Sequence, residues 1–181
     1  MVDQIRLLSL IIRSDLKWTS NTENLVEKAT KRLWILRRLK NLGACEADLL
    51  DVFIKQIRSV LELAVPVWNG SITLAEQIDL ERIQKCAAHI ILGDSYTSYK
   101  DALKSLELKS LKSRRDNLCM KFAKKAERDK KFKAWFKTSN YKKNTRQSKN
   151  KYCEVLSKHS RFKKSPLSVL TRMLNGYHKN K

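Results

Sequence analysis

The residues of this chain whose types and spacing could contact nucleic acid begin with a tryptophan between two cations. Lys31, Trp34 and Arg38 are separated by three and four residues, a spacing that returns to the same face of a helix. An indole ring can stack on a base or a sugar while neighbouring cations meet phosphates. The alternative interpretation is that Trp34 packs on a neighbouring segment and that the two charges lie on a solvated face, because large aromatic side chains are mostly buried.

A second candidate set lies in a basic helix in the second half of the chain. Its arginine and lysine side chains could neutralise phosphates and so release counterions from a polyanion. The alternative interpretation is a solvated helix face that is followed by a disordered spacer. The candidates in this set are Arg114, Arg115, Lys121, Lys124, Lys125 and Arg128.

No constellation in the sequence indicates catalysis. The chain has no adjacent pair of aspartates, and it lacks the GxGxxG, GxSxG and HExxH motifs as well as the phosphate-binding GxxxxGK motif. Scattered acids such as Asp48 and Asp51 lie where the positive end of a helix favours them. We therefore expect a protein that is not an enzyme.

The four cysteines and three histidines show neither metal-ligand spacing nor a disulfide framework. We expect no cofactor and a reducing compartment. Near the N-terminus, the longest apolar run, LLSLII, is too short to span a bilayer and follows no basic segment. The expected location is intracellular, nuclear or cytoplasmic, and we expect neither secretion nor a membrane partner.

The positive charge is concentrated in the C-terminal part of the chain. The formal net charge is +21; residues 1–103 hold 14 Lys/Arg and 13 Asp/Glu, whereas residues 104–181 hold 25 and 5. Such a field favours polyanions or an anionic membrane surface. Because the basic part has no long amphipathic helix with a bulky apolar face to insert into lipid, nucleic acid, as an RNA or DNA duplex, is the expected partner.

The hydrophobic pattern predicts a mainly α fold, a bundle of about five helices with a short N-terminal β-strand or hairpin and a basic, partly disordered C-terminal tail. Two sequences match capping boxes, Ser20 with Glu23 and Thr73 with Glu76. The pattern predicts a strand at about 5–12, helices at about 20–41, 46–64, 74–92, 99–106 and 110–136, and a short helix at 166–176. Gly43, Pro66, Gly93 and Gly176 are the predicted ends of the first, second, third and last of these helices. The helix at 74–92 has a predicted apolar stripe that starts with Leu74 and Ile78.

The order of several sequence blocks resembles one protein family. The blocks are RLLSLIIRSDLKW, KRLWILRRLKNLGA, IKQIRSVLELAVPVW, LERIQKCAAHIILGDSYTSYKDAL, LKSRRDNLCMKFAKKA and RFKKSPLSVLTRMLN. Together they resemble the segment after the polymerase palm in non-LTR (LINE-type) retrotransposon reverse transcriptases of the jockey-like and chicken-repeat-like kind. The resemblance covers nearly all of the chain. It implies a palm-terminal strand, a helical thumb and a basic linker that embrace template and primer.

The chain departs from this family in three places. Ser9 stands where the family usually has the glycine of a Leu-Gly pair near the primer end, and Leu63 stands where it usually has an aromatic residue. The family's metal-binding Asp pair lies upstream, and Met1 begins after it. The resemblance therefore implies that the magnesium-dependent polymerase activity does not carry over.

The resemblance, together with the missing Asp pair, implies a non-catalytic fragment of an RNA-directed DNA polymerase that retains at most template-primer binding. One alternative is a free-standing basic helical nucleic-acid-binding protein. Another is a helical interaction module in which SPLSVLTRML docks on a protein partner. The protein partner could be a missing palm domain or another protein. The predicted segments are 1–19 (palm-terminal strand or hairpin remnant), 20–137 (helical thumb-like and linker bundle), 138–164 (basic disordered linker) and 165–181 (short C-terminal helix and tail).

Overall fold

A computed structural model describes residues 3–139, 150–154 and 158–179 of the chain. It divides into two compact units: unit 1 comprises Met1–Ala64 and Ile72–Arg114, and unit 2 comprises Val65–Ser71 and Arg115–Lys181. Helices dominate, and a two-stranded antiparallel sheet lies at the N-terminus. The predicted mainly α fold with an N-terminal hairpin is confirmed.

Unit 1 consists of the hairpin and a set of packed helices. The elements are β1 (Gln4–Leu7), β2 (Leu10–Arg13), α1 (Thr19–Asn41), α2 (Glu46–Val52), a π-helical stretch (Phe53–Arg58), α3 (Ser59–Leu61), α5 (Leu74–Leu92), a 3-10 turn (Gly93–Ser95) and α6 (Tyr99–Ser105). The intervening α4 (Val65–Trp68) belongs to unit 2. Helix α1 packs against α5, and α2 and α6 also pack against α5.

The N-terminal hairpin turns over two residues. Strand β1 pairs with β2 in a register that joins Leu7 to Leu10. Between them Leu8 and Ser9 both have positive φ, 46° and 70°, as a two-residue hairpin turn of type I′ requires. The main-chain N–H of Ile11 donates to Asn21 Oδ1 at 3.2 Å, which ties the hairpin to α1.

Helix α1 begins earlier than the sequence predicts. It starts at Thr19, after Trp18, and its first residue has no side-chain cap. Both the N–H and the hydroxyl of Thr22 donate to the Trp18 carbonyl, at 2.8 and 3.0 Å. The predicted Ser20–Glu23 capping box is therefore wrong, because Ser20 lies inside the first turn. The predicted end is confirmed: α1 stops at Asn41, and Gly43 has φ +84°.

The second predicted helix, 46–64, is interrupted and shorter. After α2 the chain forms the π-helical stretch and then α3, which ends at Leu61. Four buried side chains lie four residues apart, Leu49, Phe53, Ile57 and Leu61. Steps of four overshoot the α-helical turn by about 40° each, and the wider i→i+5 turn of a π-helix offsets that drift. Pro66 does not end this helix, since it lies within the later α4.

Helix α5 begins with the predicted capping box and ends at the predicted glycine. Thr73 Oγ1 accepts from the Glu76 N–H at 3.2 Å, and the Thr73 N–H donates to Glu76 Oε2 at 2.5 Å. Gly93 has φ +56°. The predicted apolar stripe is wrong at its start, because Leu74 and Ile78 are 72% and 59% exposed. The buried side of the helix runs instead through Leu80, Ile83, Ala87 and Ile91.

Unit 2 contains α4 (Val65–Trp68), α8 (Ser160–Lys163) and α9 (Pro166–Lys179). It also contains α7 (Leu111–Arg128) from Arg115 onward, a 3-10 turn (Lys133–Trp135) and an isolated bridge between Thr138 and Tyr152. Helix α9 contacts both α4 and α8. Trp68 of α4 is fully buried.

Three predictions for unit 2 are corrected by the structure. Helix α7 ends at Arg128 and not near Phe136, because the chain then turns more tightly, with the Phe132 N–H donating to the Asp129 carbonyl three residues back. Helix α9 continues through Gly176 to Lys179. The predicted disordered linker, 138–164, is wrong for residues 150–154 and 160–163, since Tyr152 is buried against Phe136 and α8 is helical. Residues 140–149 and 155–157 of that linker lie outside the described residues.

Within the described residues, the helices are too short or too polar for any of them to cross a membrane.

The two candidate capping boxes offer a matched test. We expect Thr73→Ala to lower the free energy of unfolding by about 1–2 kcal/mol, because it leaves the Glu76 N–H without its capping oxygen. Ser20→Ala should change it by less than about 0.5 kcal/mol, since Ser20 caps nothing. Urea denaturation followed by circular dichroism measures both. Equal losses in the two variants would contradict the capping assignment.

Candidate nucleic-acid interface

On α1 the structure brings Trp34 and Arg38 together. The Trp34 side chain is 61% exposed, and the Arg38 guanidinium carbon lies 5.8 Å from the centroid of its ring. Lys31 is paired instead with an acid on the same helix, and its Nζ lies 2.6 Å from Glu27 Oε1. That hydrogen bond holds the pKa of Glu27 below its ordinary value. The interpretation of Trp34 as a core residue is wrong, and its ring and Arg38 are accessible to a ligand.

Arg114 is paired within unit 1. It donates to both carboxylate oxygens of Glu62, Nη2 to Oε2 at 3.1 Å, while Arg58 Nε lies 3.4 Å from Glu62 Oε1. Burial lowers the pKa of Arg58, the charge of Arg114 lowers it further, and Glu62 opposes both. One carboxylate thus serves two guanidinium groups. The charge of Arg114 is therefore already paired inside unit 1, which makes it a weaker candidate for a phosphate contact.

Arg115 does not belong to an exposed basic surface. It is only 1% exposed, and its Nε donates to Asn69 Oδ1 at 3.0 Å. The reason is its place on α7: Leu111, Arg115 and Cys119 follow one another at steps of four and are all buried, so Arg115 lies on the inner side of the helix. Its prediction as a nucleic-acid contact is corrected.

Three of the remaining predicted cations form an exposed face of α7. Lys121, Lys125 and Arg128 are exposed and lie at i, i+4 and i+7, which places them on one side of a helix. The Nζ of Lys124 points elsewhere, 3.5 Å from the centroid of the Tyr177 ring, in a cation–π contact. We call Lys121, Lys125 and Arg128 the basic face of α7.

A cluster around Glu127 lies on the same helix, and sequence reasoning missed it. Glu127 Oε1 lies 2.7 Å from Lys151 Nζ and 2.8 Å from His178 Nε2, and it also accepts from the Tyr152 hydroxyl. Burial alone would raise the pKa of Glu127, but these three donors lower it to about 2. The carboxylate also raises the pKa of Lys151. The partners are 24 to 51 residues away in sequence, so no local pattern could have indicated them.

Asn175 completes the attachment of the 150–154 segment to α9. Its Oδ1 accepts from the Tyr152 N–H at 2.9 Å, and its Nδ2 donates to the Tyr152 carbonyl at 3.0 Å. The main-chain N–H and carbonyl of Tyr152 are therefore both hydrogen-bonded to one side-chain amide, as they would be to a neighbouring strand in a sheet. Together with Glu127, Asn175 fixes the chain beside α7 and α9.

The described residues do not fit the magnesium site of a polymerase. Among the parts of the chain that the structure describes, no three His, Cys, Asp or Glu side chains lie close enough to hold a metal ion. The sequence also has no adjacent aspartate pair.

Comparison of the chain with models of protein families, with curated proteins and with solved structures finds no match. The resemblance to reverse transcriptases therefore stays a prediction, and so do the nucleic-acid contacts. The case for binding depends on the surface of the two units themselves.

Exposure predicts different costs for two tryptophans. Trp34→Ala should change the free energy of unfolding by less than about 0.5 kcal/mol, whereas Trp68→Ala, at a fully buried site, should cost about 3–5 kcal/mol. We also expect the folded Trp34→Ala variant to bind a nucleic-acid duplex more weakly. Denaturation curves and fluorescence anisotropy measure the two effects. Loss of stability without loss of affinity would return Trp34 to a structural role.

The Glu127 cluster predicts a dependence of stability on acid pH. The folded pKa, about 2, lies below the ordinary value of 4.5, so the ionised group stabilises unit 2 fully above pH 4.5 and loses this effect as the pH falls toward 2. Glu127→Gln should lower the free energy of unfolding at neutral pH by about 1–2 kcal/mol, allowing for solvent screening. The gap between variant and wild type should close across that window in urea denaturation.

Glu154→Gln is the matched control for this prediction. Glu154 Oε1 accepts from the neutral side-chain amides of Asn150 and Asn175 at 3.1 and 3.0 Å, and glutamine retains an oxygen for them. We expect a smaller loss at neutral pH. A Glu127→Gln effect that is the same at every pH would contradict the ionic role of Glu127.

Proposed function

We propose that this chain is a non-catalytic nucleic-acid-binding protein whose unit 2 supplies most of the affinity. The observation that carries the proposal is the segregation of charge. Unit 1 holds 18 Lys/Arg and 14 Asp/Glu, whereas unit 2 holds 21 Lys/Arg and 4 Asp/Glu. A net charge of that size on so small a unit attracts polyanions from solution and favours binding through released counterions.

The basic face of α7 is the surface of unit 2 that best suits a duplex. From Lys121 to Arg128 a helix rises about 10 Å, at about 1.5 Å per residue. A duplex presents one phosphate charge per roughly 1.7 Å of its axis, so this length faces about six phosphates. Three cations on one side of a rigid helix can therefore each meet a phosphate of the same duplex.

The resemblance to the thumb and linker of a LINE-type reverse transcriptase supports the same proposal from a different direction. In that family the corresponding segment embraces template and primer, which are an RNA–DNA duplex. Trp34 with Arg38 on α1 would add a contact in unit 1, between the indole ring and a sugar of the duplex backbone. The free-standing nucleic-acid-binding protein and the polymerase fragment share this surface and differ only in origin.

The interaction-module alternative has less support. It requires the apolar face of SPLSVLTRML to be available to a partner. Leu170 and Leu174 of that segment are buried within unit 2, and only Leu167 of the predicted face is well exposed. The face of α9 is largely used by the unit itself.

Salt dependence tests the proposal. The affinity for an RNA–DNA hybrid should fall linearly with salt on logarithmic axes, and the triple variant Lys121→Ala, Lys125→Ala and Arg128→Ala should reduce the slope by about 2.7, at about 0.9 per phosphate contact. Fluorescence anisotropy between about 50 and about 200 mM salt measures it. No binding at low salt would overturn the proposal.

A control variant removes the same number of charges from unit 1. Lys85, Lys100 and Lys104 are exposed on α5 and α6, and their joint replacement by alanine should leave the slope nearly unchanged. Equal effects of the two triple variants would show that net charge, and not the basic face of α7, accounts for binding. Circular dichroism checks that both variants are folded.

A further inference from the structure

Unit 2 contains a groove whose lining combines aromatic rings with cations. Its volume is about 520 Å³, within the range of roughly 300–1,000 Å³ that is typical of small-ligand sites. The 3-10 turn that ends at Trp135, the segment around Cys153, and helices α8 and α9 form its walls. The groove is separate from the basic face of α7, none of whose residues line it.

Two aromatic side chains of the groove are available for stacking. Trp135 is 46% exposed and Phe162 is 44% exposed, which is unusual for rings of this size. The rings of Trp135 and Phe132 pack at a steep angle with their centroids 4.7 Å apart, and this contact restricts the orientation of the indole ring. Exposed apolar surface in a concavity marks a binding site more often than a structural one.

The charges that line the groove are mostly positive. Lys137, Lys163 and Arg172 line it, and Glu154 is the acid among the lining residues. The guanidinium of Arg172 donates to the main-chain oxygens of Lys163 and, at 3.2 Å, Ser168. These oxygens are neutral, so they position the guanidinium without cancelling its charge. The groove is therefore suited to an occupant that is both planar and anionic.

We propose that this groove holds an unpaired base of single-stranded nucleic acid, with the base stacked on Trp135 or Phe162 and the adjacent phosphates on Lys137, Lys163 and Arg172. The inference rests on the proposed nucleic-acid binding and deepens it. A base inside a duplex has both faces covered by its neighbours, so only an unpaired base can stack on a side chain. An acidic peptide would match the cations but would leave the aromatic rings without a planar partner.

The test separates stacking from simple hydrophobic contact. Trp135→Leu should weaken binding of a short single-stranded oligonucleotide roughly 5- to 100-fold, whereas Trp135→Phe, which keeps a π-face, should weaken it much less. Affinity for a duplex should stay within about twofold in both variants. Equal single-strand affinity for wild type and Trp135→Leu would overturn the groove assignment, while absence of all nucleic-acid binding would overturn the proposed function itself.

An oligonucleotide with abasic positions supplies the complementary change in the ligand. It keeps the phosphates and removes the stacking faces, so it should bind wild type more weakly but bind Trp135→Leu as the intact oligonucleotide does. Such non-additivity assigns the lost affinity to a contact between base and ring. If abasic and intact strands bind wild type equally, the groove does not hold a base.

Cysteine alkylation locates the occupant without any substitution. Cys153 is exposed and lines the groove, and Cys45 is exposed in unit 1. Burial raises the pKa of Cys119 to about 11, so that thiol reacts slowly. A single-stranded oligonucleotide should slow the modification of Cys153 by N-ethylmaleimide several-fold relative to Cys45. Equal protection of both cysteines, or equal protection of Cys153 by poly-glutamate, would overturn the proposal.

Discussion

Repulsion between like charges limits how unit 2 can fold. A compact state with five times as many cations as acids, 21 against 4, is destabilised by its own field. Because unit 2 has few acids, one carboxylate serves several donors: Glu127 accepts hydrogen bonds from Lys151, Tyr152 and His178. Lys124 lies over an aromatic ring, and the basic face of α7 is left in solvent. The described part of unit 2 therefore keeps positive charge on its surface, which the proposed function uses to bind a polyanion.

This constraint connects binding with stability. A ligand that binds the folded unit and neutralises its cations shifts the folding equilibrium toward the native state. In the proposed function, the basic face of α7 gives affinity that is indifferent to sequence and strand number, because phosphates are common to all nucleic acids. The groove at Trp135 would add the distinction between paired and unpaired bases. Two surfaces of one unit would then divide affinity and selectivity between them.

Hydrophobic periodicity predicts most of the helices correctly, whereas short sequence motifs are less reliable. The leucine pattern predicts α1 and its glycine stop correctly. The capping motif forms at Thr73 but not at Ser20, because α1 already begins at Thr19. Charge alone predicts a surface position for Arg115, whereas its spacing from the buried Leu111 and Cys119 predicts the buried position that the structure shows. The contacts of Glu127 join distant segments, and no pattern in one segment can predict them. The sequence therefore predicts the helices better than it predicts the exposure and the contacts of individual side chains.

The hairpin turn shows that this chain is not at its optimum of stability. Leu8 and Ser9 hold left-handed conformations that cost a side-chain-bearing residue about 1–2 kcal/mol each, and Glu107 does the same at φ 52°. The chain has only 4 glycines, and one of them, Gly176, lies inside a helix with nothing within 4 Å of its side-chain position, where alanine would be favoured. Glycine is thus missing at positions where the backbone is left-handed and present at a helical position where alanine would be more stable. A more robust protein could be engineered at these positions, since none of them lies on the basic face of α7 or in the groove.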